Sequence, residues 1–167
     1  MLRKIQIVKI DSDYCDFLRK YDSKVPYNAG SKELRPFIGI LFKIENYEYF
    51  APLSSPKVKH SRLLNTIDII KIANGELGVI NFNNIIPVYK DNYKLIDLNK
   101  KTSNKSELMR IILLRNQLRW LNANRVDIYS KSSVLYEKYI NGLLPENVIN
   151  RCCNFKLLEE KCEEYNQ

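Results

Sequence analysis

Seven consecutive residues, Ser54-Ser55-Pro56-Lys57-Val58-Lys59-His60, gather two hydroxyls, two amines and the chain's single imidazole around one rigid proline. That set suits a phosphodiester. Cleavage of RNA needs no added nucleophile, because the 2′-hydroxyl beside the phosphate can attack the phosphorus. What remains for a protein is to take one proton, return one to the leaving 5′-oxygen and hold the charge that builds on the phosphate. Lys57 supplies a point charge, Ser54 or Ser55 a hydrogen bond to a phosphate oxygen, and His60 a group that titrates near neutrality. None of these steps calls for a metal. The same residues also read as a basic surface loop with a structural histidine, and S-S-P-K by itself is a weak signature.

Several other chemistries are excluded by what the chain lacks. With 1 His there is no two-histidine mechanism within one chain, and no glycine-rich phosphate loop, Walker lysine or G-x-S-x-G elbow is present. Cys15, Cys152, Cys153 and Cys162 include no C-x-x-C pair, so a zinc site is not expected and all four read as structural thiols. No cofactor is expected. The charge points elsewhere: 27 Lys+Arg against 19 Asp+Glu leave a net +8, which favours a polyanionic partner. The 11 Tyr beside that charge suit single-stranded nucleic acid, where bases stack and phosphates pair. Lys24, Arg35, Lys59, Arg115 and Arg119 are the candidates for a phosphate track, although Arg115 and Arg119 also read as a solvated helix face.

The elements that must position these groups change character along the chain. At 167 residues and 45% hydrophobic, the chain reads as a single domain over 1–167. No apolar run is long enough for a bilayer and the first residues carry no apolar signal region, so a cytoplasmic location is expected. The first half reads as strands and turns. Residues 5–10 alternate as a strand, Asp11-Ser12-Asp13 cap a short helix with a stripe of Tyr14, Phe17 or Leu18, and Tyr21, and 24–31 is a loop. Residues 36–44 are apolar on both faces, as a central strand would be, and Glu45-Asn46 turns them into a strand over 47–53. Asn74-Gly75 joins 67–72 to 77–82 as a hairpin, and 85–89 is an edge strand by its Pro87. The second half reads as helices. Asn104 caps one with Glu107 three residues on and a stripe of Ile111, Leu114, Leu118 and Leu121. Another covers 132–139 before Gly142, and Asn154 caps the last, with a stripe of Phe155, Leu158, Cys162 and Tyr165. The sum is an α+β fold: a curved antiparallel sheet packed against helices.

An ordered series of segments resembles the ToxN/AbiQ family, the endoribonuclease toxins of type III toxin–antitoxin and phage-abortive systems. Asp13-Tyr14 and Lys20-Tyr21-Asp22-Ser23-Lys24-Val25-Pro26 resemble its D-Y and K-F-D-x-[KR]-V-P segments. Arg35-Pro36-Phe37-Ile38-Gly39 resembles its [KR]-x-[FY]-[IV]-G strand. Tyr49-Phe50-Ala51-Pro52-Leu53-Ser54-Ser55-Pro56-Lys57-Val58-Lys59-His60 resembles Y-x-A-P-[LF]-[TS]-S-P-K-x-x-H. Gly78-Val79-Ile80-Asn81 through Ile86-Pro87, and Cys153-Asn154-Phe155-Lys156-Leu157-Leu158-Glu159-Glu160-Lys161 near the end, continue the match. Departures are mild: Ser54 stands where Thr is frequent, Arg35 where some members have Lys, and Ile85 where Met is common.

The resemblance implies a metal-independent endoribonuclease that cuts single-stranded A-rich RNA to 2′,3′-cyclic phosphate and 5′-hydroxyl ends. It implies an antitoxin made of RNA, tandem repeats folded as pseudoknots, which the toxin cuts from a precursor and which then hold it in a closed protein–RNA assembly. The fold it implies is an antiparallel, partly open β-barrel core similar to the Kid/MazF toxins. Ser54, Ser55, Lys57 and His60 become the catalytic candidates, and Tyr14, Lys24, Arg35, Lys59, Arg115 and Arg119 the RNA-binding ones. A binding module of the same charge with no chemistry is the alternative; a DNA-binding repressor lacks a helix-turn-helix signal.

Overall fold

The computed structural model describes residues 2–27 and 35–167. Strand β1 (Gln6–Ile10) runs into helix α1 (Ser12–Arg19), then β2 (Phe37–Gly39), β3 (Lys43–Ile44), β4 (Tyr47–Ser54), β5 (Ile69–Lys71), β6 (Val79–Asn81), β7 (Ile86–Val88) and β8 (Tyr93–Leu95). Helices α2 (Lys105–Ala123), α3 (Arg125–Ile140), α4 (Glu146–Ile149) and α5 (Phe155–Tyr165) complete the chain. The eight strands form one sheet in the order β5-β6-β4-β2-β1-β8, with β3 and β7 also pairing β4, and every pairing is antiparallel. The sheet does not close, since β5 and β8 each have one neighbour. The antiparallel α+β arrangement expected from the residues is the observed one, and its sheet is open, as the resemblance implies.

Strand β4 is the organising element. Its first half pairs β3 and β7 and its second half pairs β2 and β6. It is buried on both faces from Tyr47 to Leu53 and opens only at Ser54. That burial explains its apolar and aromatic sequence, broken before Ser54 only by Glu48. Tyr49, Phe50, Phe37, Tyr14, Phe82 and Phe155 fill the centre of the core without reaching solvent. Two carboxylates inside this aromatic layer accept from phenols: Tyr49 donates to Glu159 at 2.7 Å, Tyr136 donates to the same carboxylate, and Tyr93 donates to Glu48. All four cysteines are buried and outside any disulfide.

Several sequence expectations need correction. The strand read over 36–44 is two short strands, β2 and β3, with Leu41 and Phe42 bonded through their backbones to Tyr49 between them. Strand β8, which the sequence pattern did not mark as a strand, bonds to β1. In α1 the buried positions are Tyr14, Cys15 and Leu18, while Tyr21 is 41% exposed. Helix α3 begins at Arg125, seven residues earlier than the apolar pattern shows (132 − 125), because Asn124 ends α2 and starts α3 with no loop between them. From residue 28 onward the loop read over 24–31 lies outside the described residues.

Candidate active site

The catalytic candidates stand where β4 runs out of the sheet. Ser54 pairs with Val79 of β6, the last pairing the strand makes. On the other side, β2 pairs Phe37 with Pro52, and the Leu53 N–H donates to the Pro36 carbonyl at 2.9 Å. That register carries Arg35 to the same end as Ser54. Pro56 then fixes the backbone direction, and Ser55, Pro56 and Lys57 are exposed. Together with helix α2 they bound a cleft of about 700 Å³, whose lining includes Arg35, Ser54, Ser55, Lys57, Arg110 and Gln117. Hydroxyl donors, an ammonium and two guanidinium groups thus share one concavity. Burial lowers the Arg35 guanidinium from its ordinary value, yet an arginine stays charged at neutral pH.

His60 has a different place from the one its residue type suggests. It is 2% exposed, within the short helical turn Val58–Arg62. Its Nδ1 accepts the Lys57 N–H at 3.1 Å, and its own N–H donates to the Lys57 carbonyl at 2.9 Å. Burial and the neighbouring Lys57 and Lys59 charges lower the imidazole below its ordinary value. A neutral ring is what this geometry needs, because Nδ1 must be free of a proton to accept the Lys57 amide. His60 therefore positions the Lys57 backbone rather than facing the cleft.

Two glycines press the site into shape from behind, and the sequence reading did not assign them a part in it. Gly78, at φ +107°, lies against the end of β4: a Cβ there would stand 1.9 Å from the Ser54 carbonyl oxygen. Gly75, at φ +93°, lies against the His60 backbone, where a Cβ would stand 2.8 Å from its carbonyl oxygen. Only glycine fits both the positive φ and the approach. Asn81 adds a long amide contact, 3.4 Å, to Ser54 Oγ. The signal for Gly75 was visible as a hairpin residue, but its close approach to His60 belongs to the tertiary structure.

The RNA-binding candidates do not converge. Arg35 lines the cleft. Tyr14 is fully buried, and its hydroxyl donates to the Pro87 carbonyl, so no base can stack on it. Lys24 donates to the Cys152 carbonyl at 3.1 Å, near the C-terminal helices. Lys59 is exposed on the turn beside Lys57. Arg115 and Arg119 lie on the opposite face of α2 from the cleft, in a separate groove with residues 95–99, where Arg115 donates to the Leu98 carbonyl at 2.7 Å. The helical arginine that does line the cleft is Arg110, one turn or more from those assigned by sequence.

The model of the toxin ToxN family of type III toxin–antitoxin systems matches residues 6–163. This chain belongs to the ToxN family. Endoribonuclease ToxN of Pectobacterium atrosepticum is 33% identical over 164 residues, covering 93% of this chain and 91% of the relative. Two solved structures share the fold across nearly the whole of both chains. One concerns selective toxin inhibition by a non-coding RNA pseudoknot (TM-score 0.83, 30% identity, 99% of each chain covered). The other concerns a processed non-coding RNA that regulates a bacterial antiviral system (TM-score 0.81, 29% identity, 97% of this chain and 99% of the other). Membership gives the open sheet and the exposed end of β4 a family context that composition could not.

Proposed function

We propose that this chain is the endoribonuclease toxin of a type III toxin–antitoxin system, a single domain over 1–167 acting in the cytoplasm. The observation that carries the reading is the cleft at the end of β4, where Ser54, Ser55, Lys57 and Arg35 face one space. Its family membership and its likeness to an endoribonuclease support it. Among the described residues no helix is long and apolar enough to cross a membrane.

A phosphate of single-stranded RNA sits at Ser55 and Lys57, and its 2′-hydroxyl attacks the phosphorus. Lys57 and Arg35 hold the charge that develops on the non-bridging oxygens. Ser54 and Ser55 donate hydrogen bonds to those oxygens. The products are a 2′,3′-cyclic phosphate and a 5′-hydroxyl. With His60 engaged at the Lys57 amide, the 2′-hydroxyl proton passes to a non-bridging phosphate oxygen of the RNA as the 2′-oxygen bonds to phosphorus, and the Lys57 ammonium gives a proton to the 5′-oxygen as its bond to phosphorus breaks. The antitoxin is a repeat RNA folded as a pseudoknot, cut from its precursor in the same cleft and retained there, so that inhibition is by occupancy.

Incubating purified protein with A-rich single-stranded RNA in EDTA tests the reading. Cuts leaving cyclic phosphate ends are expected; intact RNA with a gel shift would favour the binding module. Given the repeat precursor, Lys57→Ala is expected to lose processing and toxicity together. Processing at the wild-type rate by a non-toxic Lys57→Ala chain would separate the two sites and overturn the mechanism.

A further inference from the structure

The cleft has a second wall that the phosphate chemistry leaves unused. Leu53, Met109 and Leu113 line it with apolar surface, and Gln117 of α2 lies among them, only 1% exposed. Its Nε2 donates to the Leu77 carbonyl at 2.7 Å. A carbonyl can only accept, so the amide nitrogen must face Leu77 and the amide oxygen is the end left over. That Oε1 has no hydrogen-bond partner among the described residues. Two other buried polar atoms share this condition, Asn92 Oδ1 and Arg125 Nε, but neither residue lines the cleft. A buried acceptor without a donor is costly, and native proteins keep few of them.

We propose that this wall is a nucleobase subsite, with Gln117 as its specificity-determining residue and a base bearing an exocyclic amino group as its ligand. The inference rests on the ribonuclease reading of the same cleft. An apolar wall matches the face of a base, and the cleft volume accommodates a nucleotide beside its phosphate. The unpaired Oε1 requires a donor. Adenine and cytosine present an amino group where guanine and uracil present a carbonyl oxygen, and with Nε2 held by Leu77 the Gln117 Oε1 is left to accept from that amino group. Reaching Oε1 requires cleft side chains to give way, and Met109, 60% exposed on a flexible thioether stem, is free to do so. Gln117 thus acts in two directions: its nitrogen ties α2 to Leu77, next to the Gly78 that backs Ser54, and its oxygen selects the base.

The test compares RNA substrates that differ by one amino group. Short RNAs are made with adenosine, or with purine riboside lacking the amino group, at each position around the cut. For the wild type, one position should favour adenosine in kcat/KM by roughly five- to a hundredfold, the range for a good base-specific contact. Gln117→Leu removes the acceptor and should bring that ratio close to one. Gln117→Glu keeps an acceptor and should retain a preference, while losing the donor to Leu77. If both variants lose the preference together, or if Gln117→Leu keeps it, the base subsite is overturned. Should Gln117→Leu fail to fold, the wild-type and Gln117→Glu ratios decide alone, and a ratio near one at every position overturns the inference. A wild-type chain that cuts these RNAs without discrimination overturns the subsite only; one that cuts none overturns the nuclease reading beneath it.

Discussion

Lys57 is the residue on which the chemistry turns, and the structure shows how its backbone is held. Pro56 sets its approach, and His60 holds it at two points, its Nδ1 accepting the Lys57 N–H and its backbone N–H donating to the Lys57 carbonyl. Replacing Lys57 or Ser55 by alanine should lower RNA cleavage by roughly a hundredfold or more, the scale of losing one group that meets developing charge. Both side chains are exposed, so melting should be unchanged. Wild-type cleavage by a folded Lys57→Ala chain would remove the assignment. His60 predicts a pH effect of defined sign. Its imidazole is lowered in the folded chain from an ordinary value of 6.5, first by burial and then by Lys57 and Lys59. The unfolded chain therefore takes up that proton first, so stability is full above about pH 6.5 and falls as the pH drops below it. Melting curves between pH 8 and pH 5 should show the fall in the wild type and a flatter profile in His60→Ala; equal slopes would mean that His60 does not carry the effect.

At the scale of elements, β4 and the turn behind it act as one unit. Gly78→Ala combines a positive φ with a Cβ driven into the Ser54 carbonyl. It should destabilise the chain by about 2 kcal/mol or more and reduce cleavage with no change to any residue of the cleft. A urea midpoint beside an activity assay checks it, and a neutral Gly78→Ala would show that the turn relaxes freely. These elements also show what the sequence could convey. The alternation of residues 5–10, the Asn74-Gly75 turn and the Asn104 and Asn154 caps are local signals, and each appears where local physics puts it. Asn104 accepts the Glu107 N–H at 3.0 Å, while the Glu107 carboxylate turns to Lys100 and Thr102 instead of closing the box. The parts that local signals could not supply are long-range. Residues 36–44 carry an apolar run that cannot tell one strand from two. Tyr14 is legible as part of the apolar stripe of α1, but the partner of its hydroxyl, the Pro87 carbonyl, comes from 73 residues away. Gln117 sits in the apolar stripe of α2 as a polar interruption, and its meaning depends on Leu77 and the cleft.

Across the whole molecule, α2 separates two basic regions. Arg35, Lys57 and Arg110 lie on one side, and Arg115 and Arg119 on the other. If both sides meet RNA phosphates, Arg119→Ala should lower the slope of log affinity against log salt for the antitoxin RNA by about one, leaving cleavage of a short RNA unchanged. An unchanged slope would make that groove a solvated face. The core carries a further consequence. Cys15 of α1, the adjacent Cys152 and Cys153 before α5, and Cys162 of α5 are all buried and outside any disulfide. Burial, with smaller contributions from nearby acidic groups, pushes Cys152 and Cys162 up to about 11 and Cys153 to about 12. A thiol that is both covered and protonated does not react with a disulfide reagent. Ellman's reagent should therefore release almost no colour from the native chain and four equivalents once it opens, so the protein carries its own unfolding clock. Under conditions that melt only the α5 end, Cys162 would report before Cys15; simultaneous labelling of all four would show that sheet and helices come apart as one cooperative body.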